Sequence, residues 1–80
     1  MTFKVYMLKS LKDGSFYTGI TENLQQRISA HNSGSSIYSK NKRPYKLVWY
    51  CVFNDKSKAA RFEKYLKQGS GFAFARKHLV

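Results

Sequence analysis

Five polar side chains fall at positions where so short a chain would ordinarily place apolar ones. They are two tyrosines, an arginine, a histidine and a glutamate: Tyr6, Tyr17, Arg27, His31 and Glu63. Attack on a phosphodiester needs an activated water, a cation beside the phosphate oxygens and help for the leaving group. A chain of 80 residues has few core positions to spare for polar groups. The set therefore predicts chemistry on a nucleic-acid phosphate.

Arg27 and His31 are one helical turn apart and share a face with Leu24 and Ile28. A guanidinium can hold a phosphate through two parallel hydrogen bonds, and an imidazole can transfer a proton near neutral pH. Each residue also has a simpler interpretation. Arg27 would be a long side chain that covers apolar surface, and His31 a partly buried polar ring. Both interpretations stay open, although two such residues on one apolar face favour the chemical one.

Glu63 differs from the other three acidic residues because no turn or helix start explains it. It lies in the middle of a predicted helix, on or beside the apolar stripe of Ala59, Phe62 and Leu66. A carboxylate there could hold one hard divalent cation, which prefers oxygen ligands and keeps several waters. The alternative is an ion pair with Lys67, four residues on, which would stabilise the helix by about 0.2–0.5 kcal/mol.

Tyr6 and Tyr17 fall on the two strands of a predicted hairpin, whose turn contains Asp13 and Gly14. A two-residue turn at Asp-Gly would put both rings on one face, four residues or about 13 Å apart. A wider loop would bring them closer. The alternative is ordinary packing of two aromatic rings on a half-buried sheet. Gly19, inside the second strand, predicts a bulge or a close backbone approach.

The elements that must position these residues follow the order ββαβαα, which predicts an α+β fold with a small antiparallel sheet. Thr21 is predicted to cap the first helix and Gly34 to end it, while Gly69 and Gly71 break the second helix from the third. The third strand is almost continuously apolar and is therefore predicted to be central. The predicted strands are 3–10, 16–20 and 45–53, and the predicted helices are about 22–32, 57–68 and 72–79.

The balance of charge is strongly basic, with 15 Lys and Arg against four Asp and Glu, a net charge of +11 and a pI of about 10.1. Such a chain is typical of a polyanion binder, and contacts to phosphates would be salt-dependent and largely indifferent to base sequence. Tyr38 and Tyr45 could stack on bases, with packing as the alternative. The predicted phosphate-binding residues are Lys9, Lys12, Lys40, Lys42, Arg43 and Lys46.

Length and composition predict a single domain over residues 1–80. The lone cysteine, Cys51, cannot form an internal disulfide, which favours a reducing cytoplasm, and we expect it to be a buried small side chain. We expect no signal peptide, because a folded pattern starts within a few residues of Met1. The chain has no apolar span of about 20 residues, so a membrane partner is not expected.

An ordered set of short motifs resembles the GIY-YIG nuclease domain. It comprises Val5-Tyr6-Met7, then Tyr17-Thr18-Gly19, with Arg27 eight residues later and with His31 and Glu63 at fitting spacings. The resemblance extends from Phe3 to about Leu79. It looks much like the small single-domain bacterial members, and is similar also to the N-terminal domain of the excision-repair incision subunit. It implies a three-stranded antiparallel sheet flanked by helices.

The resemblance also implies roles for the five polar residues in hydrolysis of a DNA phosphodiester. The two tyrosines would lie at the scissile phosphate and organise the attacking water or act as base. Arg27 would stabilise the pentavalent phosphate, and His31 would be a base or a relay. Glu63 would be the sole protein ligand of one Mg²⁺ or Mn²⁺. Two positions depart from the family: Ile20 replaces a lysine of some members, and Ala75 a late asparagine.

These observations predict a metal-dependent DNA endonuclease directed by structure rather than sequence, with branched, damaged or single-stranded DNA as substrate, acting in repair or recombination. The leading alternative is a basic nucleic-acid-binding module with weak or no catalysis, and a second is an assembly protein bound to ribosomal RNA. A protein partner or a homo-oligomer would fit so small a domain. Whether Tyr6 or His31 takes the proton stays open.

Overall fold

Three strands and three helices follow one another in the predicted order ββαβαα. The structure is a computed structural model that describes residues 1–34 and 40–80. A short 3₁₀ turn, Lys40–Lys42, precedes the third strand. The bounds are β1 (Phe3–Ser10), β2 (Phe16–Thr21), α1 (Leu24–Ser33), β3 (Tyr45–Phe53), α2 (Lys56–Lys67) and α3 (Gly69–His78). None of the helices in the described part of the chain is long and apolar enough to cross a membrane.

The strands form one antiparallel sheet in the order β2-β1-β3, so the first strand is central. The prediction of a central third strand is therefore wrong. Its apolar run has another cause, since helices partly cover both of its faces: Leu47 packs on the α1 side, and Trp49 packs against Phe62 of α2. Farther along β3, Tyr50 and Val52 remain 51% and 52% exposed.

Helices flank the sheet on both faces. Alternate residues of β1 point to opposite sides, so the apolar strand presents a surface to be covered on each face. Tyr6 and Leu8 lie in the cluster that α1 covers with Leu24 and Ile28. Val5 and Met7, on the other face, pack in a cluster with residues of α2 and α3: Ala59, Leu66 and Ala75. A central strand that is buried on both faces explains how so short a chain supports two apolar clusters.

The β1–β2 hairpin turns through a wider loop than two residues. The Ser10 amide donates to the Ser15 carbonyl oxygen over 2.7 Å, and four residues lie between them. Tyr17 is consequently paired with Leu8, which places it two residues, not four, from the partner position of Tyr6. The hairpin therefore brings the two tyrosines closer than a two-residue turn would.

The first helix starts later than predicted and ends as predicted. Thr21 does not cap it, because Thr21 is still paired as the last residue of β2. Asn23 is the cap instead, and its side chain accepts a hydrogen bond from the Gln26 amide over 3.0 Å. At the other end Gly34 has φ of 84°, a left-handed conformation that favours glycine, and its amide donates to the Ala30 carbonyl.

The third helix begins at Gly69, three residues before the predicted start, because the chain leaves helical geometry at Gln68 (φ −87°, ψ 158°). Gly71 thus lies inside the first turn of α3 rather than in a break. A glycine is needed at position 71 for close packing of the two helices, since a Cβ there would collide with the Tyr65 carbonyl group at the end of α2.

Asp55 caps α2, and its carboxylate accepts hydrogen bonds from the amides of Ser57 and Lys58 over 2.7 and 3.3 Å. We expect Asp55→Ala to lower the free energy of unfolding by about 1 kcal/mol, because two amides at the helix start would lose their partner. Urea unfolding measures the change. Asn54→Ala, at an exposed neighbouring position, is the control. An equal loss in both variants would contradict the capping role.

Candidate active site

Tyr6 and His31 form a buried polar pair between the sheet and α1. Both side chains are fully buried. The Tyr6 hydroxyl lies 3.1 Å from Nε2 of His31, within hydrogen-bonding distance. Strand β1 supplies the tyrosine and α1 supplies the histidine, one turn after Arg27. The structure thus brings together two of the residues that the sequence singled out for proton transfer.

Two further tyrosines surround the His31 ring. The Tyr17 ring centroid lies 4.6 Å from that of His31 and 6.4 Å from that of Tyr6. The Tyr45 ring lies 5.8 Å from His31 on another side. Tyr45 is only 7% exposed, so it packs in the core and is not available to stack on bases. Tyr38, the other predicted stacking residue, lies outside the described residues.

Gly19 makes room for the Tyr6 ring. It is paired with Tyr6 across the hairpin, and a Cβ at this position would collide with the tyrosine hydroxyl and ring. The predicted close approach is confirmed, and it is an approach of a side chain to the backbone. No register shift interrupts the β1–β2 ladder over its paired residues, Lys4 to Lys9 and Phe16 to Thr21, so the alternative of a bulge does not apply.

Arg27 lies at the exposed border of this buried group. Burial raises the pKa of the Tyr6 hydroxyl, while hydrogen bonding and the positive charge of Arg27 act in the opposite direction. Tyr17 also contacts Arg27 and contributes to raising its pKa. The guanidinium borders a surface groove of about 330 Å³ whose other lining residues are Thr21, Asn23, Gln26 and Ala30. Arg27 can therefore meet an anion from solvent while touching both tyrosines.

Glu63 lies on α2 and is partly buried, with 20% of its side chain exposed. The predicted ion pair with Lys67 is present, at 3.3 Å between Oε2 and Nζ. Glu63 also acts on the tyrosine site, since its negative charge contributes to raising the pKa of Tyr6. The ion pair is therefore present, and the role of Glu63 as a metal ligand stays a prediction; the two are compatible because a carboxylate can accept from more than one partner.

The donor set around Glu63 suits a weakly coordinated hard cation. Across residues 1–34 and 40–80, no three His, Cys, Asp or Glu side chains cluster as a metal cage would require. Mg²⁺ is commonly held by one or two carboxylates together with waters and substrate phosphates. A single accessible carboxylate fits that kind of site and does not fit a closed structural metal site.

The predicted phosphate-binding residues divide into two groups at the hairpin end of the sheet. Lys12 donates to the Asn41 carbonyl over 3.1 Å, and Lys42 pairs with Asp13 at 3.4 Å. Arg43, from the same segment, is exposed near Gly34. Lys9 and Lys46 are paired across β1 and β3. The side chain of Lys40 is outside the described residues.

Two features near the site escaped sequence reasoning. The Asn32 side chain bonds both backbone groups of Tyr45, at 2.6 and 3.2 Å, and so ties the end of α1 to the start of β3. An asparagine in a last helical turn is too common to signal this contact. The second feature is the basic surface of α2, whose charge run was visible in the sequence: Lys56, Lys58, Arg61, Lys64 and Lys67.

The buried histidine leads to a prediction about pH. Burial, and secondarily the charge of Arg27, lower the pKa of His31 below its ordinary value of 6.5. His31 therefore binds a proton more readily in the unfolded chain than in the folded one. Its contribution to the free energy of unfolding is fully present above about pH 6.5 and is lost as the pH falls further. We expect His31→Gln to reduce the loss of unfolding free energy between about pH 7.5 and pH 5.

Urea unfolding at the two pH values measures this difference. His78→Gln removes an exposed histidine and is the matched control for the loss of an imidazole as such. Equal pH dependence in the unaltered protein and the His31 variant would contradict the lowered pKa.

Comparison with known proteins supplies the family context of this geometry. A family model described as the GIY-YIG catalytic domain matches residues 3–76. UPF0213 protein CPE1444 of Clostridium perfringens is 46% identical over 65 residues, covering 80% of this chain and 69% of that protein. UPF0213 protein SH2523 of Staphylococcus haemolyticus is 45% identical over 64 residues, covering 79% of this chain and 77% of that protein.

A solved structure shows the same architecture. The solution NMR structure of UPF0213 protein BH0048 from Bacillus halodurans superposes with a TM-score of 0.60 at 32% sequence identity. The superposition covers 99% of this chain and 87% of the other.

Proposed function

The chain belongs to the GIY-YIG catalytic domain family, which implies nuclease-type activity, and from that premise we propose that it is a metal-dependent DNA endonuclease. The observation that carries the proposal is the convergence of polar groups beneath α1. Tyr6 and His31 are within hydrogen-bonding distance, Tyr17 packs on the histidine ring, and Arg27 contacts both tyrosines from the exposed side. They supply a candidate base and a cation, two of the three groups that phosphodiester hydrolysis needs.

Arg27 is the residue that meets the phosphate. The residue is exposed, and its guanidinium is always charged and suited to two parallel hydrogen bonds with phosphate oxygens. As negative charge builds up on those oxygens during attack, a fixed cation beside them lowers the barrier by a few kcal/mol. Tyr17, which is half-buried beside Arg27, helps to orient the same phosphate.

The Tyr6–His31 pair handles the proton of the attacking water. Burial lowers the pKa of His31, so the ring is neutral near pH 7 and can accept a proton. The raised pKa of Tyr6 keeps its hydroxyl protonated. With neutral His31 accepting at Nε2, the hydroxyl donates to the ring. Because both side chains are fully buried, the Tyr6 oxygen accepts a proton from water only when DNA binding opens the site. The two candidate bases then act as one relay.

Glu63 is the residue that would hold a single Mg²⁺ or Mn²⁺, with waters and the DNA phosphate as the other ligands. A divalent ion there would add positive charge beside the phosphate and the leaving oxygen. With only one carboxylate to hold it, we expect weak binding of the ion in the absence of DNA.

For the substrate we propose branched, damaged or single-stranded DNA, in repair or recombination, recognised with little dependence on sequence. The net charge of +11 supports binding through phosphates, which is strong at low salt and weak at high salt. A protein partner or a second copy would supply further selectivity. The free cysteine, Cys51, suits a reducing compartment, and the proposal includes a cytoplasmic location.

A specific observation favours the alternative of a binding module without catalysis. The Glu63 carboxylate already has a partner in Lys67, and the two positions that depart from the family pattern carry apolar side chains. Ala75 is fully buried in the core, and Ile20 packs against it. A nuclease needs Glu63 to release or share its ion pair, whereas a binding module does not.

The test is cleavage of supercoiled plasmid and of a branched duplex, with Mg²⁺, with Mn²⁺ and with EDTA. We expect nicked products with a divalent ion and none with EDTA. The double variant Arg27→Ala/Glu63→Ala, purified in parallel, is the control for a contaminating nuclease and should be inactive. DNA binding with no cleavage in either metal would overturn the nuclease and favour the binding module.

A further inference from the structure

A row of neighbouring, mutually tilted rings lies on α2 and α3. The ring centroids of Tyr65 and Phe74 are 6.4 Å apart, and those of Phe74 and His78 are 5.0 Å apart. Tyr65 is 38% exposed and Phe74 is 41% exposed. We call Tyr65, Phe74 and His78 the aromatic strip. Neighbouring exposed rings on a small domain are unusual enough to indicate an interaction surface.

Cations flank the aromatic strip on both helices. Lys58 and Arg61 precede Tyr65 by seven and four residues, which places them on the same face of α2, and Lys77 follows Phe74 by three residues on α3. All three are exposed. The acid of α2 points elsewhere, since Glu63 is two residues from Tyr65 and therefore about 200° around the helix. The surface is aromatic and positively charged.

We propose that the aromatic strip binds single-stranded DNA at a place separate from the candidate active site. Unpaired bases stack on exposed aromatic side chains regardless of their sequence, while lysines and arginines beside the rings neutralise the phosphates. In duplex DNA the bases are already stacked on one another, so the rings cannot replace those contacts. The positive flanks favour DNA over a protein partner, since an apolar protein surface gains nothing from them.

If the protein is the proposed nuclease, the position of the aromatic strip allows single-strand binding to contribute to the choice of substrate; this part of the inference rests on the proposed function. Tyr65 and Glu63 lie on opposite flanks of α2, so a strand on the strip leaves the metal-binding carboxylate accessible. A substrate with both a duplex and an unpaired arm could then occupy the two surfaces together. The strip would favour branched DNA through its single-stranded part.

Fluorescence anisotropy with a labelled thymidine oligomer of about fifteen nucleotides, and with a duplex of equal length, tests the proposal. EDTA in the buffer makes the measurement independent of cleavage. We expect the double variant Tyr65→Ala/Phe74→Ala to bind the single strand at least about tenfold more weakly, with duplex affinity almost unchanged. Tyr50→Ala removes an exposed ring from β3 and should leave both affinities unchanged.

An equal loss of affinity for duplex and single strand in the double variant, or no loss for either, would overturn the proposal that the aromatic strip binds single-stranded DNA. So would a loss of the same size in the Tyr50 variant. If the double variant fails to fold, ultraviolet crosslinking of the unaltered protein to an iodouracil-containing single strand decides instead. Crosslinks at Tyr65 or Phe74 support the proposal, and crosslinks confined to other residues refute it.

Plasmid nicking measured beside these affinities separates the two proposals. A protein that nicks plasmid but binds the single strand equally well after both substitutions refutes the strip and leaves the nuclease standing. A protein that never cleaves DNA but shows the selective loss of single-strand binding refutes the nuclease and supports the strip.

Discussion

Replacement of Arg27 by alanine should slow DNA cleavage by about 10²–10³-fold while the unfolding free energy changes little. Arg27 is an exposed residue, so its removal leaves no cavity in the core, but its guanidinium is a fixed cation that contacts both tyrosines. Loss of a single group that stabilises charge in the transition state typically costs that factor in rate. Single-turnover cleavage of plasmid with saturating protein measures the rate without the contribution of binding.

Two companion variants sharpen the interpretation of this loss. Arg27→Lys keeps the charge but loses the planar pair of donors, so an intermediate rate would show that the geometry of the guanidinium matters. Gln25→Ala alters a nearby exposed position that does not line the groove of Arg27 and should cleave at the rate of the unaltered protein. Full activity in Arg27→Ala would remove this residue from the chemistry.

Glu63→Gln should lower metal-dependent cleavage by at least about 10²-fold, because an amide of equal size cannot replace a carboxylate as ligand of a hard cation. DNA affinity in EDTA should not fall, and removal of a negative charge will raise it slightly. Cleavage as a function of Mn²⁺ concentration measures both the maximal rate and the concentration of ion required.

Two controls separate a metal ligand from a helix-stabilising residue. Glu22→Gln makes the same chemical change at an exposed acid and should leave cleavage intact. Lys67→Ala removes the partner of Glu63, at a cost of about 0.2–0.5 kcal/mol in stability. If the ion pair alone explained the effect of Glu63→Gln, Lys67→Ala would reduce cleavage equally. That result would contradict the assignment of Glu63 as the metal ligand.

Local signals were sufficient to predict most of the elements. Gly34 ends α1 as predicted, because only a residue free to adopt a positive φ continues the chain there. Such features depend on a few neighbouring residues. The prediction that Thr21 caps α1 was wrong, because Thr21 pairs with Lys4 of β1 and so remains the last residue of β2.

Features that depend on long-range packing could not be predicted. An apolar run such as Tyr45–Phe53 fits both a central strand and an edge strand covered by helices, and only the tertiary structure separates them. The spacing of Tyr6 from Tyr17 likewise depended on how the loop from Ser10 to Ser15 closed. Side-chain spacing along a sequence predicts a shared face, but it does not determine a distance across the sheet.

The sequence was enough to predict which of four residues come together, but not which of them are buried and which are exposed. The sequence identified Tyr6, Tyr17, Arg27 and His31, and the structure brings these four together. It did not indicate that Tyr6 and His31 are buried while Arg27 remains exposed, because alternation and helical periodicity do not report depth. The link from Glu63 to this group is electrostatic, and its role as a metal ligand stays a prediction.

The contact between Gly19 and the Tyr6 ring has a consequence for how this sequence can vary. A residue larger than glycine at position 19 would collide with the tyrosine ring and its hydroxyl, so such a change becomes acceptable only after position 6 has lost its large ring. Replacement of Tyr6 while position 19 is still glycine meets no such barrier. Among lineages or randomised libraries, substitutions at position 6 should therefore precede those at position 19. The two motifs are coupled, and Tyr6 is expected to be lost before Gly19.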